Sequence, residues 1–148
     1  MLFRSLTGRL HQPYRIIEKS KLAAASLDGL RAIVYPDAQP PTDPVRARLI
    51  RFVEGGGLLV AGPKWGNSGD ESHPRYVIRE AGKGRIAVAR AALTDPYLVA
   101  SDTSVLLSHS GDLVRFWNAG AMGSFYSRGP GGGALVQVIN YADRKSVV

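Results

Sequence analysis

Residues 30–66 read LRAIVYPDAQPPTDPVRARLIRFVEGGGLLVAGPKWG. The segment opens within a short run from Leu27 to Tyr35 whose apolar members are Leu30, Ala32, Ile33, Val34 and Tyr35. A compact run of this kind suits a strand covered on both faces, as parallel sheets require. Pro36 and Asp37 end it. A helix is then signalled at both ends. Asp43 can cap it by accepting from a backbone N–H that has no partner inside the helix. Pro44 suits the first helical position, where its missing N–H costs nothing. Val45, Leu49, Phe52 and Val53 follow at i, i+4, i+7 and i+8 and form one apolar stripe, with Arg46, Arg48 and Arg51 mostly off it. Gly55-Gly56-Gly57 offers the left-handed geometry that stops a helix. Leu58 to Ala61 then form a second buried strand. Strand, helix and strand with connections this short predict a right-handed parallel crossover. Each large apolar side chain buried there contributes about 1.5–3 kcal/mol, so this unit anchors the core.

Working outward, Tyr14–Ile17 predicts a short strand, and Lys19–Ala25 a turn or short helix. Downstream, Gly66 to Pro74 is polar and turn-rich and reads as a loop. Arg75–Ile78 predicts a short strand, Gly82-Lys83-Gly84 a turn, and Arg85–Ala89 a strand. Thr94-Asp95-Pro96 repeats the cap-and-proline start of the first helix. It predicts helix from Tyr97 to His109, broken near Ser101-Asp102, with a further turn over Leu113–Trp117. Ser124–Ser127 and Ala134–Tyr141 predict two strands. Their joint, Arg128 to Gly133, is glycine and proline at five positions, which favours a hairpin. The expectation is an α/β fold with a partly parallel sheet, flanking helices and a C-terminal β-hairpin.

The length of 148 residues fits one domain over 1–148. Apolar residues make up 45%, enough for a core, and charged residues 21%, which argues against wholesale disorder. There is no cysteine, which excludes disulfides, thiolate metal sites and a cysteine nucleophile while leaving the compartment open. No apolar run approaches the roughly 20 residues of a membrane span. The net charge is +7. A basic balance can signal nucleic acid, but Arg31, Arg46, Arg48, Arg51, Arg75, Arg79, Arg85, Arg90 and Arg115 are scattered. No basic block or aromatic-interleaved basic motif occurs, so a solvated basic surface is favoured over nucleic-acid binding. MLFRSLTGRL lacks the apolar core of a signal peptide. Both ends read as though cut from a longer parent protein.

Ile33-Val34-Tyr35-Pro36-Asp37, together with Arg51-Phe52-Val53-Glu54-Gly55-Gly56-Gly57-Leu58-Leu59-Val60, resembles the class I glutamine amidotransferase-like superfamily. The resemblance covers about the middle third of the chain and implies a flavodoxin-like fold. In that superfamily the strand after the glycine-ended helix leads to a nucleophile elbow. Such an elbow needs an exposed nucleophile on a sharp turn, with N–H donors for the oxyanion. Here the position is held by Gly62-Pro63-Lys64. None is a thiol or hydroxyl, and Pro63 has no N–H, so the family's catalytic residues do not carry over. The chain therefore looks more like the non-catalytic branch, which includes the trimerisation domain of bacterial β-galactosidases. Val138-Ile139-Asn140-Tyr141 fits a strand ending seen there, whereas the long Asp95–Trp117 segment departs from it. The resemblance implies a domain for assembly or carbohydrate-related binding in a larger glycosidase-like protein, with other domains of the parent chain and further copies of itself as partners.

Ligands of open parallel sheets bind beyond the carboxyl ends of the strands. That rim would hold Asp37, Lys64, Trp65 and Asn67. Trp65 could stack on a sugar, with Asp37 and Asn67 bonding its hydroxyls. In the competing reading, Trp65 covers the sheet edge and Asp37 caps a turn. His11, His73 and His109 are isolated, so no metal site is expected and no cofactor is implied. Asp70-Glu71 with His73 could bind a cation, but an exposed acidic loop is the ordinary reading. Asp95, Asp102 and Asp112 are possible paired acids for glycoside hydrolysis, although Asp95 and Asp102 also suit helix caps. Gly129–Gly133 lacks a phosphate-loop pattern. Phe116, Trp117, Phe125 and Tyr126 suit either a partner interface or the core. Two other readings stay open: a fragment of a hydrolase whose catalytic residues lie outside this chain, and a small basic nucleic-acid-binding module.

Overall fold

The computed structural model describes residues 14–37, 39–66, 73–108 and 122–140. β1 is Ala32–Tyr35, α1 Asp43–Glu54, β2 Leu58–Ala61, β3 Tyr76–Ala81, β4 Gly84–Ala89 and α2 Pro96–Ser108. β1 to β4 form one sheet in the order β1-β2-β4-β3. β1, β2 and β4 run parallel, and β3 pairs antiparallel with β4. The expected α/β class, with a mostly parallel sheet and helices against it, is what the chain forms.

The period of two along each strand sorts the core onto two faces. Leu59 and Ala61 of β2 join Ile86 and Val88 of β4 in one cluster, with Val45, Leu49 and Val53 of α1. Leu58 and Val60 join Ala87 and Ala89 in the other, with Leu106 of α2. β2 is buried along its whole length, as the sequence required. β1 is only half-buried before Tyr35, because it is an edge strand. The expectation that it is covered on both faces is corrected.

The ends of α1 also differ in detail from expectation. The capping position is Thr42, without a side-chain cap bond. Asp43 is the first helical residue, where its charge complements the helix N-terminus. The stop uses one left-handed residue, Gly56 at φ 114°, while Gly55 remains helical. Gly57 N–H then donates back to the Phe52 carbonyl at 3.1 Å.

α2 begins as expected: Asp95 Oδ1 accepts the N–H groups of Tyr97 at 2.8 Å and Leu98 at 3.3 Å. It does not break at Ser101-Asp102 but continues to Ser108. Asp102 has no need to cap a second helix, because Arg75, just before β3, satisfies it. Tyr14–Ile17 is not a strand. Tyr14 and Ile16 are exposed, and a single 3₁₀ turn, Lys19–Lys21, follows. Separate from the four-stranded sheet, β5 (Met122–Arg128) and β6 (Ala134–Asn140) pair antiparallel. Residues 113–117 lie outside the described residues.

Candidate functional site

The carboxyl ends of the parallel strands line up as Tyr35, Ala61 and Val88, with Val77 of β3 opposite Val88. At the β1–β2 end of this rim the chain leaves Ala61 through Gly62 into a 3₁₀ turn, Pro63–Trp65. Gly62 N–H donates to the Tyr35 carbonyl at 3.1 Å, tying the two strand ends together. A side chain at residue 62 would meet the Asp37 carbonyl at 3.0 Å, so the close approach favours glycine.

Trp65 is buried, at 3% exposure. The edge of the Tyr35 ring meets it at a centroid distance of 6.3 Å. The Arg46 guanidinium lies over its ring, 4.5 Å from the centroid. Arg46 Nη1 also donates to the Trp65 carbonyl at 2.8 Å. The indole is therefore packed within the rim and presents no open face to solvent. Its Nε1 is buried without a hydrogen-bond partner. Lys64 is exposed beside it. Asn67 lies outside the described residues.

Asp37 sits across the rim. Lys19 Nζ forms an ion pair with its Oδ2, and Gln39 N–H donates to its Oδ1 at 3.0 Å. The Lys19 ammonium and the Gln39 N–H hold the Asp37 carboxyl below its usual range. The same bond raises Lys19. Burial raises Tyr35, whose hydroxyl lies 3.5 Å from Asp37 Oδ2. Asp37 thus closes a turn and anchors the segment before β1. Lys19 was not legible as a partner, because it stands 18 residues upstream and follows no motif.

The β4–β3 end of the rim holds a second polar group. Arg75 grips Asp102 through both carboxylate oxygens, with Nε donating to Oδ2 at 2.9 Å. Tyr76 is buried beside this pair, and burial followed by the Asp102 charge pushes its phenol up. The His73 ring lies 5.3 Å from the Tyr76 ring. His73 Nδ1 accepts the Arg75 N–H at 3.2 Å, and its carbonyl faces the Arg90 guanidinium.

These arrangements bear on the candidate acids. Asp95 is committed to the α2 cap and Asp102 to Arg75, while Asp112 is outside the described residues. Among the described residues no group of three or more His, Cys, Asp or Glu could hold a metal ion. His11, His109, Asp70, Glu71, Phe116 and Trp117 lie outside the described residues. Phe125 and Tyr126 lie on β5.

The chain matches no protein family, no curated protein and no solved structure. The chemistry open to the rim is limited. The N–H groups of Gly62, Trp65 and Gly66 are all donated to backbone carbonyls, and Pro63 has none. The turn after β2 therefore carries no thiol or hydroxyl nucleophile, and three of its N–H groups are already committed to backbone carbonyls. No described helix is long and apolar enough to cross a membrane.

Proposed function

We propose that this chain is a non-catalytic domain of the amidotransferase-like, flavodoxin-like type, serving assembly in a larger glycosidase-like protein, with carbohydrate-related binding at the Asp37–Lys64 rim as its secondary role. The turn Gly62–Trp65 supports the non-catalytic half of the reading, since an arginine-covered tryptophan stands where an elbow nucleophile would.

The observation that carries assembly is the apolar surface of β6. Leu135, Val136, Val138 and Ile139 are all exposed, so both faces of this strand present aliphatic side chains to water. A two-stranded ribbon is marginal alone, and large apolar side chains exposed on both faces of one strand suit an interface. Tyr97, Leu98 and Val105 add exposed apolar area on α2. Self-association through β6 would cover the ribbon.

Light scattering on the purified chain tests this, with a thermal-shift panel of simple sugars run alongside. A stable oligomer that becomes monomeric in a Leu135→Lys, Ile139→Lys variant is the expected result. A wild-type monomer that no sugar stabilises would end the proposal. A monomer stabilised by a sugar would shift the role to the rim.

A further inference from the structure

A cleft of about 770 Å³ opens at the end of the sheet opposite the rim, where β1 and β2 begin and α1 ends. That volume falls within the roughly 300–1,000 Å³ of small-molecule sites. Its walls carry three arginines, Arg31, Arg48 and Arg51, against one carboxylate, Asp28. That carboxylate is locally engaged, since Ser26 Oγ donates to Asp28 Oδ2 at 2.7 Å. Arg48 and Arg51 form no ion pair with any carboxylate among the described residues.

The two arginines are three apart on α1 and so lie on one side of the helix. Arg48 is held in place, with Nη2 donating to the Ala25 carbonyl. Its Nε is buried without a partner. A guanidinium already fixed loses little freedom when it takes up a ligand. Guanidinium groups match the two-oxygen geometry of phosphate and carboxylate. Phe52 and Leu107 line the same cleft and give it an apolar wall. Arg51 alone could be explained by the last turn of a helix, where cations offset the carbonyl dipoles. Arg48 lies a turn earlier and faces the same cleft, which that account leaves unexplained.

We propose that this cleft binds a phosphate ester, with the phosphate between Arg48 and Arg51 and the organic part against Phe52 and Leu107. The site is independent of the assembly reading. It lies at the opposite end of the sheet from the rim, and its occupancy is read by titration rather than by mass.

The test is calorimetric titration of the full chain at low salt with glucose 6-phosphate, glucose and glucuronate. Saturable binding of glucose 6-phosphate, with no binding of glucose and at least tenfold weaker binding of glucuronate, is expected. Arg51→Gln should weaken binding at least tenfold, as should Arg48→Ala. Arg79→Gln, which removes the same charge from β3, should change it less than twofold. Arg48→Ala also loses the Ala25 contact, so Arg51→Gln, whose side chain is exposed, decides the matter once circular dichroism shows it folded. Absence of saturable binding, equal binding of glucuronate, or an equal loss in Arg79→Gln would overturn the proposal.

Discussion

Arg46 holds Trp65 twice, with its guanidinium 4.5 Å from the centre of the indole ring and its Nη1 2.8 Å from the Trp65 carbonyl. One side chain thus fixes both the ring and the backbone of the turn that follows β2. The stacking contributes about 0.5–1 kcal/mol, and the hydrogen bond about 1 kcal/mol. Arg46→Ala should therefore cost about 1.5–2 kcal/mol in urea unfolding. Arg46→Lys should recover less than half of that, because an ammonium cannot present a flat face and a side donor together. Trp65→Ala should cost about 3–5 kcal/mol, as for other large aromatic truncations in a core. Equal stability of Arg46→Lys and wild type would refute the double role.

The Arg75–Asp102 pair is lopsided, and its variants should be too. Asp102 is buried at 4% side-chain exposure, while Arg75 is 53% exposed. Removing Asp102 leaves an arginine that rehydrates. Removing Arg75 leaves a buried carboxylate with its positive partner gone and the Tyr76 hydroxyl beside it. Arg75→Ala should thus cost about 3 kcal/mol, the low end of the buried-pair range because one partner faces water. Asp102→Asn should cost less. A double-mutant cycle measured by denaturant unfolding checks the order, and the reverse order would show that the Tyr76 hydroxyl suffices to hold the buried carboxylate.

Gly84 begins β4 where it passes directly beneath the end of α1. A Cβ there would overlap the carbonyls of Gly57 and Val53, which are backbone and cannot swing away. Gly84→Ala should cost about 3 kcal/mol or more, at or beyond the upper end of overpacking losses. Gly131 has open space around it but a positive φ of 84°. Gly131→Ala should cost about 1 kcal/mol, from conformation alone. Thermal unfolding of the two variants separates clash from strain.

Local chemistry explains how far the sequence could be read. The stripe Val45, Leu49, Phe52, Val53 and the glycine stop predicted α1, since both are decided within a dozen residues. The cap at Asp95 was readable for the same reason. What could not be read depends on partners distant in sequence. Asp102 resembles a second cap in sequence, but its partner is Arg75, 27 residues away. Lys19 and Arg46 reach Asp37 and Trp65 across 18 and 19 residues by side chains that follow no period. β1 resembled a central strand because apolar content does not report position in a sheet. Its place at the edge follows from the order β1-β2-β4-β3.

The two ends of the rim should set opposite limits on stability with pH. Asp37 is held below its usual range by Lys19 and the Gln39 N–H. A depressed carboxyl binds its proton more readily in the unfolded chain. Its contribution is present above about pH 4 and is lost as pH falls through the lower folded value. The stability gap between wild type and Asp37→Asn should be constant near neutrality and shrink in acid. Tyr76 behaves in the opposite sense. Burial, reinforced by the Asp102 charge, raises its phenol, so the unfolded chain gives up that proton first. Its contribution is complete below about pH 10 and falls as pH rises, with a slope approaching about 1.4 kcal/mol per pH unit. Tyr35 and Lys19 are also raised and will add to any alkaline loss, so the wild-type curve alone cannot isolate Tyr76. The difference between wild type and Tyr76→Phe can, because the other groups cancel. Urea unfolding between pH 8 and 11 should show Tyr76→Phe less stable at the lower pH, with the gap closing above about pH 10. A gap that stays constant over that range would mean the Tyr76 hydroxyl reaches solvent and titrates as it does in the unfolded chain.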